Sequence, residues 1–357
     1  MILDGKDTTS IAAAARAVRS GALLGLPTET VYGLAADASS DAAVAQIFAA
    51  KGRPSDHPLI VHVASAEGIA HFASAVPDFA QKLVDAFWPG PLTLILPRLP
   101  GVANAATGGQ NSVGLRCPAH PVAHALLLAC AAPTNHTNHT NHTDNTDNTS
   151  DETSGTDQGG PPVWGVAAPS ANRFGRVSPT TAQHVQDELG ADLLVLDGGP
   201  CAVGIESTIV DCTRGVPVLL RPGAVTREQI EAACGIRPLS KDDLPTLTPR
   251  ASGTLEAHYA PDAKVRLMDA KALQTGLDLL GSDAANIAVY ARTVLRTRSS
   301  KLVMRRMPDD AIATAQQLFA VLRGFDDAKV KLIWIEAAPS TSEWEGVRDR
   351  LQRAAAA

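Results

Sequence analysis

Short apolar runs alternate with longer amphipathic stretches through most of the chain, and this alternation predicts an α/β fold. Runs typical of strands are ALLGLP, LIVHVAS, PLTLILP, SVGLRCP, VAAPSAN, DLLVLDGG, STIVDC and VPVLLRPG. SSDAAVAQIFAAK reads as a helix opened by Ser40 or Asp41, and TTAQHVQDELG as a helix ended by Gly190. PAHPVAHALLLACA is also helical. Because several strands are only a few residues apart, we expect one large mixed sheet with flanking helices.

A second group of alternating runs follows near the carboxyl end. KVRLMD, NIAVYAR, KLVMRRM and KLIWIEA are typical of strands, and PDDAIATAQQLFAVLRGF of a helix. Ile312, Ala315, Phe319 and Leu322 recur on one face of that helix, which we expect to be buried. The pattern predicts a small α/β domain over residues 263–357.

Two segments interrupt these patterns. Residues 134–161 are polar and low in complexity, which predicts a disordered loop, and residues 238–262 are proline-rich, which predicts an extended linker. His136, His139 and His142 leave metal binding open, although neutral expansion of a triplet repeat is the favoured interpretation. The Asn-x-Thr triplets fit glycosylation only in a secreted protein.

Composition narrows the class of protein. Of 357 residues 45% are hydrophobic and 19% charged, which is typical of a globular protein. The apolar runs are too short for a membrane span and MILDGKDTTS is not a signal peptide, so we expect no membrane association and a cytoplasmic location. The net charge of −6 argues against nucleic-acid binding by the whole surface but leaves a local basic pocket open. Five cysteines without a CxxC pair are expected to be reduced and packed.

The candidate chemistry begins with cations at the ends of elements. Common nucleotide signatures, GxxxxGK[ST] and GxGxxG, are missing, as are HExxH and GxSxG. Lys51 and Arg53 end a helix in KGRPSDHPLIVH, whereas Arg116 and Arg221 each follow an apolar strand. A lysine at a helix end often only complements the helix dipole. Together, however, four cations at such positions suit a triphosphate or a carboxylate.

Hydroxyl groups form a second set of candidates. APSANRFGRVSPT contains Ser170, Asn172 and Ser178 in a predicted turn, and GIESTIVD places Ser207 at the start of a strand. Each of these is also a common capping or turn residue. His62 in LIVHV points away from the face of its valine neighbours, and a lone strand histidine is usually structural.

Seven motifs in order, PTETVYGL, KGRPSDHPLIVH, WPGPLTLIL, SVGLRCP, APSAN, GIESTIVD and LLRPG, resemble the threonylcarbamoyl-AMP synthase family. The family's KxR...SxN signature is matched by Lys51, Arg53, Ser170 and Asn172. The resemblance covers residues 10–235 apart from the low-complexity loop. It implies a YrdC-like catalytic domain over residues 1–237, a linker over the active site at 238–262 and a small Rossmann-like domain over 263–357.

The resemblance also implies an activity. L-threonine, bicarbonate and ATP would give threonylcarbamoyl-adenylate and pyrophosphate, with Mg²⁺ neutralising charge and no protein metal site. Downstream tRNA threonylcarbamoyl-transferase proteins would then modify the adenosine beside the anticodon, with contact to tRNA or double-stranded RNA left open. The implied catalytic residues are Lys51, Arg53, Ser170 and Asn172. The implied threonine contacts are Thr30, His62, Arg116, Ala168 and Ser207. The implied ATP contacts are Arg53, His57, Ser112, Ser170, Ser178, Arg221 and Tyr259.

The chain departs from the family pattern in places, and two rival interpretations remain. His57 stands where many relatives have asparagine, and SGTLEAHYAP lacks the SPGM start of many family linkers. A carbamoyl transferase of the hydrogenase-maturation kind contains a similar domain, but its acylphosphatase-like region and paired zinc cysteines are not visible here. A catalytically idle RNA-binding module is the other rival, and the acidic net charge argues against it.

Overall fold

The computed structural model describes residues 1–133, 161–240, 243, 250–253 and 257–357. The predicted disordered loop, apart from its last residue, and parts of the predicted linker therefore lie outside the described residues. None of the helices in the described ranges is long and apolar enough to cross a membrane.

In the amino-terminal part of the chain, the described residues between 1 and 240 form one large sheet of eleven strands. Its strands are β1 (Ile2–Asp4), β2 (Leu24–Leu26), β3 (Gly33–Asp37), β4 (Ile60–Val63), β5 (Leu92–Pro97), β6 (Ser112–Arg116), β7 (Gly165–Ala167), β8 (Leu194–Asp197), β9 (Thr208–Asp211), β10 (Val218–Arg221) and β11 (Leu239–Ser240). Their order is β1-β8-β2-β3-β7-β4-β6-β5-β9-β10-β11. β4 and β6 pair in parallel, whereas β7 runs antiparallel to both of its neighbours, so the prediction of a large mixed sheet is confirmed.

Within the described residues six helices flank this sheet. They are α1 (Thr8–Arg19), α2 (Asp41–Lys51), α3 (Asp78–Phe87), α4 (Pro121–Ala131), α5 (Ala182–Leu189) and α6 (Arg227–Cys234). The start of α2 and the end of α5 follow capping signals in the sequence. The Ser40 side chain accepts a hydrogen bond from the Ala43 amide and so opens α2. Gly190 ends α5 by donating its amide proton to the Gln186 carbonyl. Both helix boundaries were predicted.

The strands bury residues on both faces of the sheet, so each face has its own core. On β3, Leu34 and Ala36 belong to a core that includes residues of α2, α3, α5 and α6. Ala35 between them belongs to a second core shared with α1 and α4. A sheet covered on both faces leaves the ends of its strands as places for polar chemistry.

The carboxyl-terminal part, residues 257–357, contains a separate parallel sheet of four strands. Its elements are β12 (Lys264–Met268), α7 (Ala270–Leu279), β13 (Ile287–Ala291), β14 (Val303–Arg306), α8 (Ala311–Asp327), β15 (Leu332–Glu336) and α9 (Glu345–Ala355). The strand order is β12-β15-β13-β14, which agrees with the expected small α/β unit.

The two parts share one apolar core. Leu318 and Phe319 of α8 belong to the same buried cluster as Val177 and Ile205 of the amino-terminal part. The prediction that Ile312 is buried on α8 is wrong, because its side chain is 80% exposed. Ile312 lies at the margin of the helical stripe and in the first turn, where nothing in the shared core covers it. All five cysteines are buried and unpaired.

Candidate active site

Eleven of the residues singled out from the sequence line one cleft at the strand ends of the large sheet. They are Thr30, Lys51, Arg53, His62, Arg116, Ala168, Ser170, Asn172, Ser207, Arg221 and Tyr259. Four of these are cations, contributed by three separate segments of the chain. The cleft therefore concentrates positive charge in an acidic protein.

Lys51 lies in the last turn of α2, which places its side chain in the cleft. Gly52 follows it with a φ of +63°, a left-handed conformation that ends the helix at once. The Lys51 ammonium is buried and donates hydrogen bonds to the carbonyl oxygens of Ser170, at 2.5 Å, and Asn172. Burial lowers the pKa of Lys51 to about 7. The KxR...SxN residues thus meet through backbone carbonyls of the APSAN turn.

Arg53 lies beside Lys51 and is fixed by the extended segment that follows it. Its guanidinium donates to the carbonyl oxygen of Pro58 at 3.0 Å and lies 5.7 Å from the ring centroid of Phe174. It also reaches the Ser252 hydroxyl at 3.5 Å. These contacts hold a charged group at the cleft wall by hydrogen bonding and by cation–π attraction.

Strand pairing brings His62 and Arg116 side by side. They are register partners on the parallel strands β4 and β6, and both are buried. Burial, together with the Arg116 charge, lowers the pKa of His62 to about 3, so its imidazole is neutral near pH 7. Its Nδ1 has no hydrogen-bond partner within the described residues, which leaves a polar atom available to a bound molecule.

A carboxylate that the sequence interpretation did not assign holds Arg116. Arg116 Nη2 donates to Glu29 Oε1 at 2.6 Å, and Nη1 donates to the Thr30 hydroxyl at 2.8 Å. Burial of Glu29 raises its pKa, but the charge and hydrogen bond of Arg116 outweigh burial and hold the pKa below its ordinary value. The Thr30 hydroxyl also lies 2.8 Å from that of Thr28. The TETVY segment thus makes an ordered polar wall.

Arg221, at the end of β10, is fixed by the start of β9. Its Nε and Nη2 donate to the Ser207 carbonyl oxygen at 3.0 and 2.9 Å, and Nη1 donates to the Ser252 carbonyl at 2.8 Å. The Ser207 hydroxyl in turn lies 2.7 Å from the Thr93 hydroxyl. Arg221 therefore connects the large sheet to the described part of the predicted linker.

Tyr259 closes one side of the cleft from that linker. Its ring is fully buried and its hydroxyl has no partner among the described residues. Its φ of +61° is rare for a residue with a side chain, so the surrounding packing must hold it. His258 before it packs edge-on against the Tyr259 ring, with 4.2 Å between the ring centroids.

Three of the predicted site residues lie beside the cleft rather than in its lining. His57 lines an adjoining cavity with Arg53 and Phe174, and Ser112 lines another one with Thr93. Ser178 is fully buried, and its hydroxyl donates to Glu206, which itself lines the cleft.

The sequence interpretation did not select several residues of the lining, among them Thr28, Phe174, Glu206, Ser252 and His258. The only sequence signal for them was adjacency, because each lies within four residues of a selected position or, like Ser252 in SGTLEAHYAP, inside a quoted segment.

The chemistry available in this arrangement is binding and charge stabilisation. Guanidinium groups and an ammonium suit phosphate or carboxylate oxygens, and the hydroxyls of Thr30 and Ser207 suit a small polar molecule. No cluster of metal-ligating side chains occurs among the residues that the structure describes.

Comparison with known proteins agrees with this picture. A family model described as "Telomere recombination" matches residues 16–223, and one described as "Threonylcarbamoyl-AMP synthase, C-terminal domain" matches residues 225–356. A threonylcarbamoyl-AMP synthase of Bacillus subtilis is 34% identical over 97% of this chain and 92% of its own length. One of Pyrococcus abyssi is 40% identical over 72% of this chain and 67% of its own length.

A solved structure gives the same fold over nearly the whole chain. The Pyrococcus abyssi protein Sua5, complexed with L-threonine, superposes with a TM-score of 0.80 at 33% sequence identity. The superposition covers 97% of this chain and 94% of that one. Since the sequence and fold both match over almost the full length, the protein belongs to the threonylcarbamoyl-AMP synthase family.

Proposed function

We propose that the protein makes L-threonylcarbamoyladenylate from L-threonine, bicarbonate and ATP and releases pyrophosphate. The observation that carries the proposal is the convergence of Lys51, Arg53, Arg116 and Arg221 on one cleft. Such a cleft supplies without a glycine-rich loop the positive charge that a triphosphate and a carboxylate require. Family membership supports the same reaction.

Threonine binds, on this proposal, at the end of the cleft formed by Thr30, His62, Arg116, Ala168 and Ser207. Arg116 faces the substrate carboxylate, oriented by its contacts to Glu29 and Thr30. Neutral His62 offers a hydrogen-bonding atom without adding charge. An analogue without the threonine hydroxyl would leave polar groups of the pocket without a hydrogen-bond partner. Such an analogue should therefore bind less tightly than threonine.

ATP binds, on this proposal, beside threonine in the same cleft, where Lys51, Arg53 and Arg221 face the phosphates. Ser170 and Asn172 lie near them, and Tyr259 closes over the nucleotide from the linker. His57 and Ser112 line cavities that adjoin the ATP site. Ser178 contributes indirectly, through its hydrogen bond to Glu206.

The reaction needs no covalent intermediate on the protein. The threonine amine and bicarbonate give the carbamate and water, and a carbamate oxygen then forms a bond to the α-phosphorus while the bond to pyrophosphate breaks. The cleft holds the two substrates in line and stabilises charge that moves onto pyrophosphate. Lys51, Arg53 and Arg221 are the residues placed to do so.

Mg²⁺ enters, on this proposal, as part of the MgATP substrate. Glu206 is the one carboxylate in the described lining of the cleft, and its oxygens are already bonded to Ser178 and Arg350. The described lining of the cleft therefore offers no free carboxylate to a resident metal ion. The ATP phosphates themselves supply ligands that Mg²⁺ prefers.

The product passes, we further propose, to tRNA threonylcarbamoyl-transferase proteins, which modify the adenosine beside the anticodon. The division into a catalytic domain over residues 1–237, a linker at 238–262 and a small domain over 263–357 fits this function. The large sheet carries most of the cleft, and the described linker residues Ser252, Gly253, His258 and Tyr259 complete it.

The test supplies ATP, Mg²⁺, bicarbonate and threonine and measures pyrophosphate, with serine as the control amino acid. We expect release that depends on threonine, and we expect Lys51→Ala and Arg53→Ala to fold but to release none. Normal release by both variants contradicts the proposal. An idle RNA-binding module would instead bind RNA in a salt-dependent manner without turning over ATP.

A further inference from the structure

Arg350 on α9 is fully buried although it belongs to the carboxyl-terminal part of the chain. Its guanidinium crosses to the amino-terminal part, where Nε donates to Glu206 Oε2 at 2.8 Å and Nη2 donates to the Glu206 carbonyl oxygen at 3.1 Å. Nη1 donates to the Pro222 carbonyl oxygen and to Asp349 Oδ2, at 2.8 and 2.7 Å. The Arg350 side chain thus hydrogen-bonds both the side chain and the backbone of Glu206.

Glu206 is itself part of the cleft wall. Its second carboxylate oxygen accepts the hydroxyl proton of Ser178, and the next residue, Ser207, receives three hydrogen bonds from Arg221. The position of Glu206 therefore fixes a predicted ATP contact on one side and the Arg221–Ser207 pair on the other.

The same guanidinium also supports the residue that closes the cleft. The Cζ of Arg350 lies 5.3 Å from the ring centroid of Tyr259, on which Phe319 of α8 packs at 5.4 Å. Close backbone packing fixes α9 itself, because a Cβ on Gly346 would lie 3.0 Å from the Gly223 carbonyl oxygen. The helix that carries Arg350 has little freedom to move away from the cleft.

We infer that Arg350 is a positioning residue for the adenylate-forming reaction, which holds Glu206 and Tyr259 in place so that the carboxyl-terminal part completes the active site. The inference rests on the proposed function. It assigns a role in catalysis to a residue that lies outside the predicted catalytic domain.

The electrostatics of the pair are set by burial and by neighbouring charges. Burial of Glu206 raises its pKa, but the nearby cations, Arg350 first and Arg221 second, outweigh burial and hold the pKa below its ordinary value. The titratable and charged groups that face the pair from all surrounding elements are Lys51, Arg221, His258, Tyr259 and Asp349. Without Arg350 the burial effect gains weight, so the pKa of Glu206 is higher in Arg350→Met than in wild type.

The test compares Arg350→Met, Arg350→Lys and the double variant Arg350→Met/Glu206→Gln by pyrophosphate release at saturating ATP and threonine. Arg350→Met is expected to lower kcat ~10- to 100-fold, because small misplacements at a reacting centre cost that much. Arg350→Lys keeps the positive charge but not the several hydrogen-bond donors of the planar guanidinium. Its kcat should therefore lie between those of wild type and Arg350→Met. The double variant contains no buried carboxylate without a partner, so it should fold even if Arg350→Met does not. Its kcat can then still test the inference.

A pH profile separates positioning from mere support of the fold. In Arg350→Met the ionised Glu206 returns as pH rises, so its kcat relative to that of the double variant increases with pH. Wild type, whose Glu206 is ionised throughout, lacks this increase. The infrared band of a protonated carboxylic acid provides a readout without turnover, since we expect it to persist to higher pH in Arg350→Met than in wild type and to be missing in the double variant.

Arg227→Met is the matched control, because Arg227 pairs with Glu345 of α9 across the same interface but does not line the cleft. Its kcat and pH profile should stay within about twofold of wild type. The inference is overturned if folded Arg350→Met, or the folded double variant, keeps the wild-type kcat. A wild type that releases no pyrophosphate with threonine would contradict the proposed function instead, and the infrared band would then still test the Arg350–Glu206 coupling.

Discussion

Arg116 Nη2 lies 2.6 Å from Oε1 of Glu29, and both side chains are almost completely buried. The second oxygen of that carboxylate, Oε2, has no hydrogen-bond partner within the described residues. The pair therefore does two things at once, since it orients Arg116 toward the cleft and neutralises a charge that burial would otherwise make costly.

Replacing Arg116 with methionine should therefore damage both stability and binding. The variant leaves Glu29 buried and unpaired, so the free energy of unfolding should fall by about 3 kcal/mol. Threonine binding, measured by calorimetry, should be lost. The control is Arg116→Met/Glu29→Gln, which removes both charges and should recover most of the stability in denaturant titrations while still failing to bind threonine. Threonine binding by the double variant would contradict the role given to Arg116.

ATP affinity should depend on pH through Lys51. Because burial lowers the pKa of Lys51 to about 7, only part of the free protein carries the ammonium at neutral pH. Phosphate favours the charged form, so ATP binding should take up a proton, and affinity should fall as pH rises above about 7. Lys51→Arg keeps its charge at all these pH values and should abolish the dependence. Calorimetry in buffers of different ionisation enthalpy measures the proton uptake, and its absence would contradict the assignment.

The free energy of unfolding should respond to the same group in the opposite direction. The folded pKa of Lys51 is below its unfolded value, so the folded state binds the proton less tightly than the unfolded chain. Stability should therefore rise between about pH 7 and pH 10 in wild type relative to Lys51→Met. Denaturant titrations of both proteins across this range measure the difference, which should shrink once ATP is bound.

The sequence predicted that the four cations lie at the ends of helices or strands, because local residues mark the end of each element. Lys51 and Arg53 flank a glycine after a helix, and Arg116 and Arg221 end apolar runs. Such signals are local and survive without knowledge of the fold. The elements themselves were also predictable from apolar periodicity and capping residues.

Long-range pairings were not predictable from local patterns. His62 and Arg116 face each other only because β4 and β6 pair in parallel although α3 and β5 lie between them in the chain. Glu206 and Arg350 are separated by 144 positions. Ile312 fits the apolar period of α8, yet the shared core ends before reaching it. Periodicity gives the face of a helix but not the extent of what covers it.

Discrimination between threonine and valine should depend on the Thr30 hydroxyl. That hydroxyl accepts from Arg116 and lies within hydrogen-bond distance of Thr28, so it belongs to an ordered polar network. Thr30→Val removes it and should reduce the preference for threonine over valine by roughly 10-fold or more in competitive pyrophosphate assays. Thr314→Val removes a buried hydroxyl of α8, away from the cleft, and should leave the preference unchanged. An unchanged preference in Thr30→Val would mean that Thr30 does not recognise the substrate.

Replacing residues 134–160 with a short Gly-Ser connection should leave activity intact. The described chain closes on itself beside this segment, because the Val163 amide donates to the Cys130 carbonyl oxygen at 2.9 Å. Arg19 supports the same helix end through the Ala129 carbonyl at 2.7 Å. Among the residues that the structure describes, the lining of the cleft comes from residues 28–62, 116, 168–221 and 252–259. We therefore expect kcat within about twofold of wild type and a change in unfolding free energy below about 1 kcal/mol. A loss of threonine-dependent pyrophosphate release in a folded replacement variant would show that the segment contributes to the site.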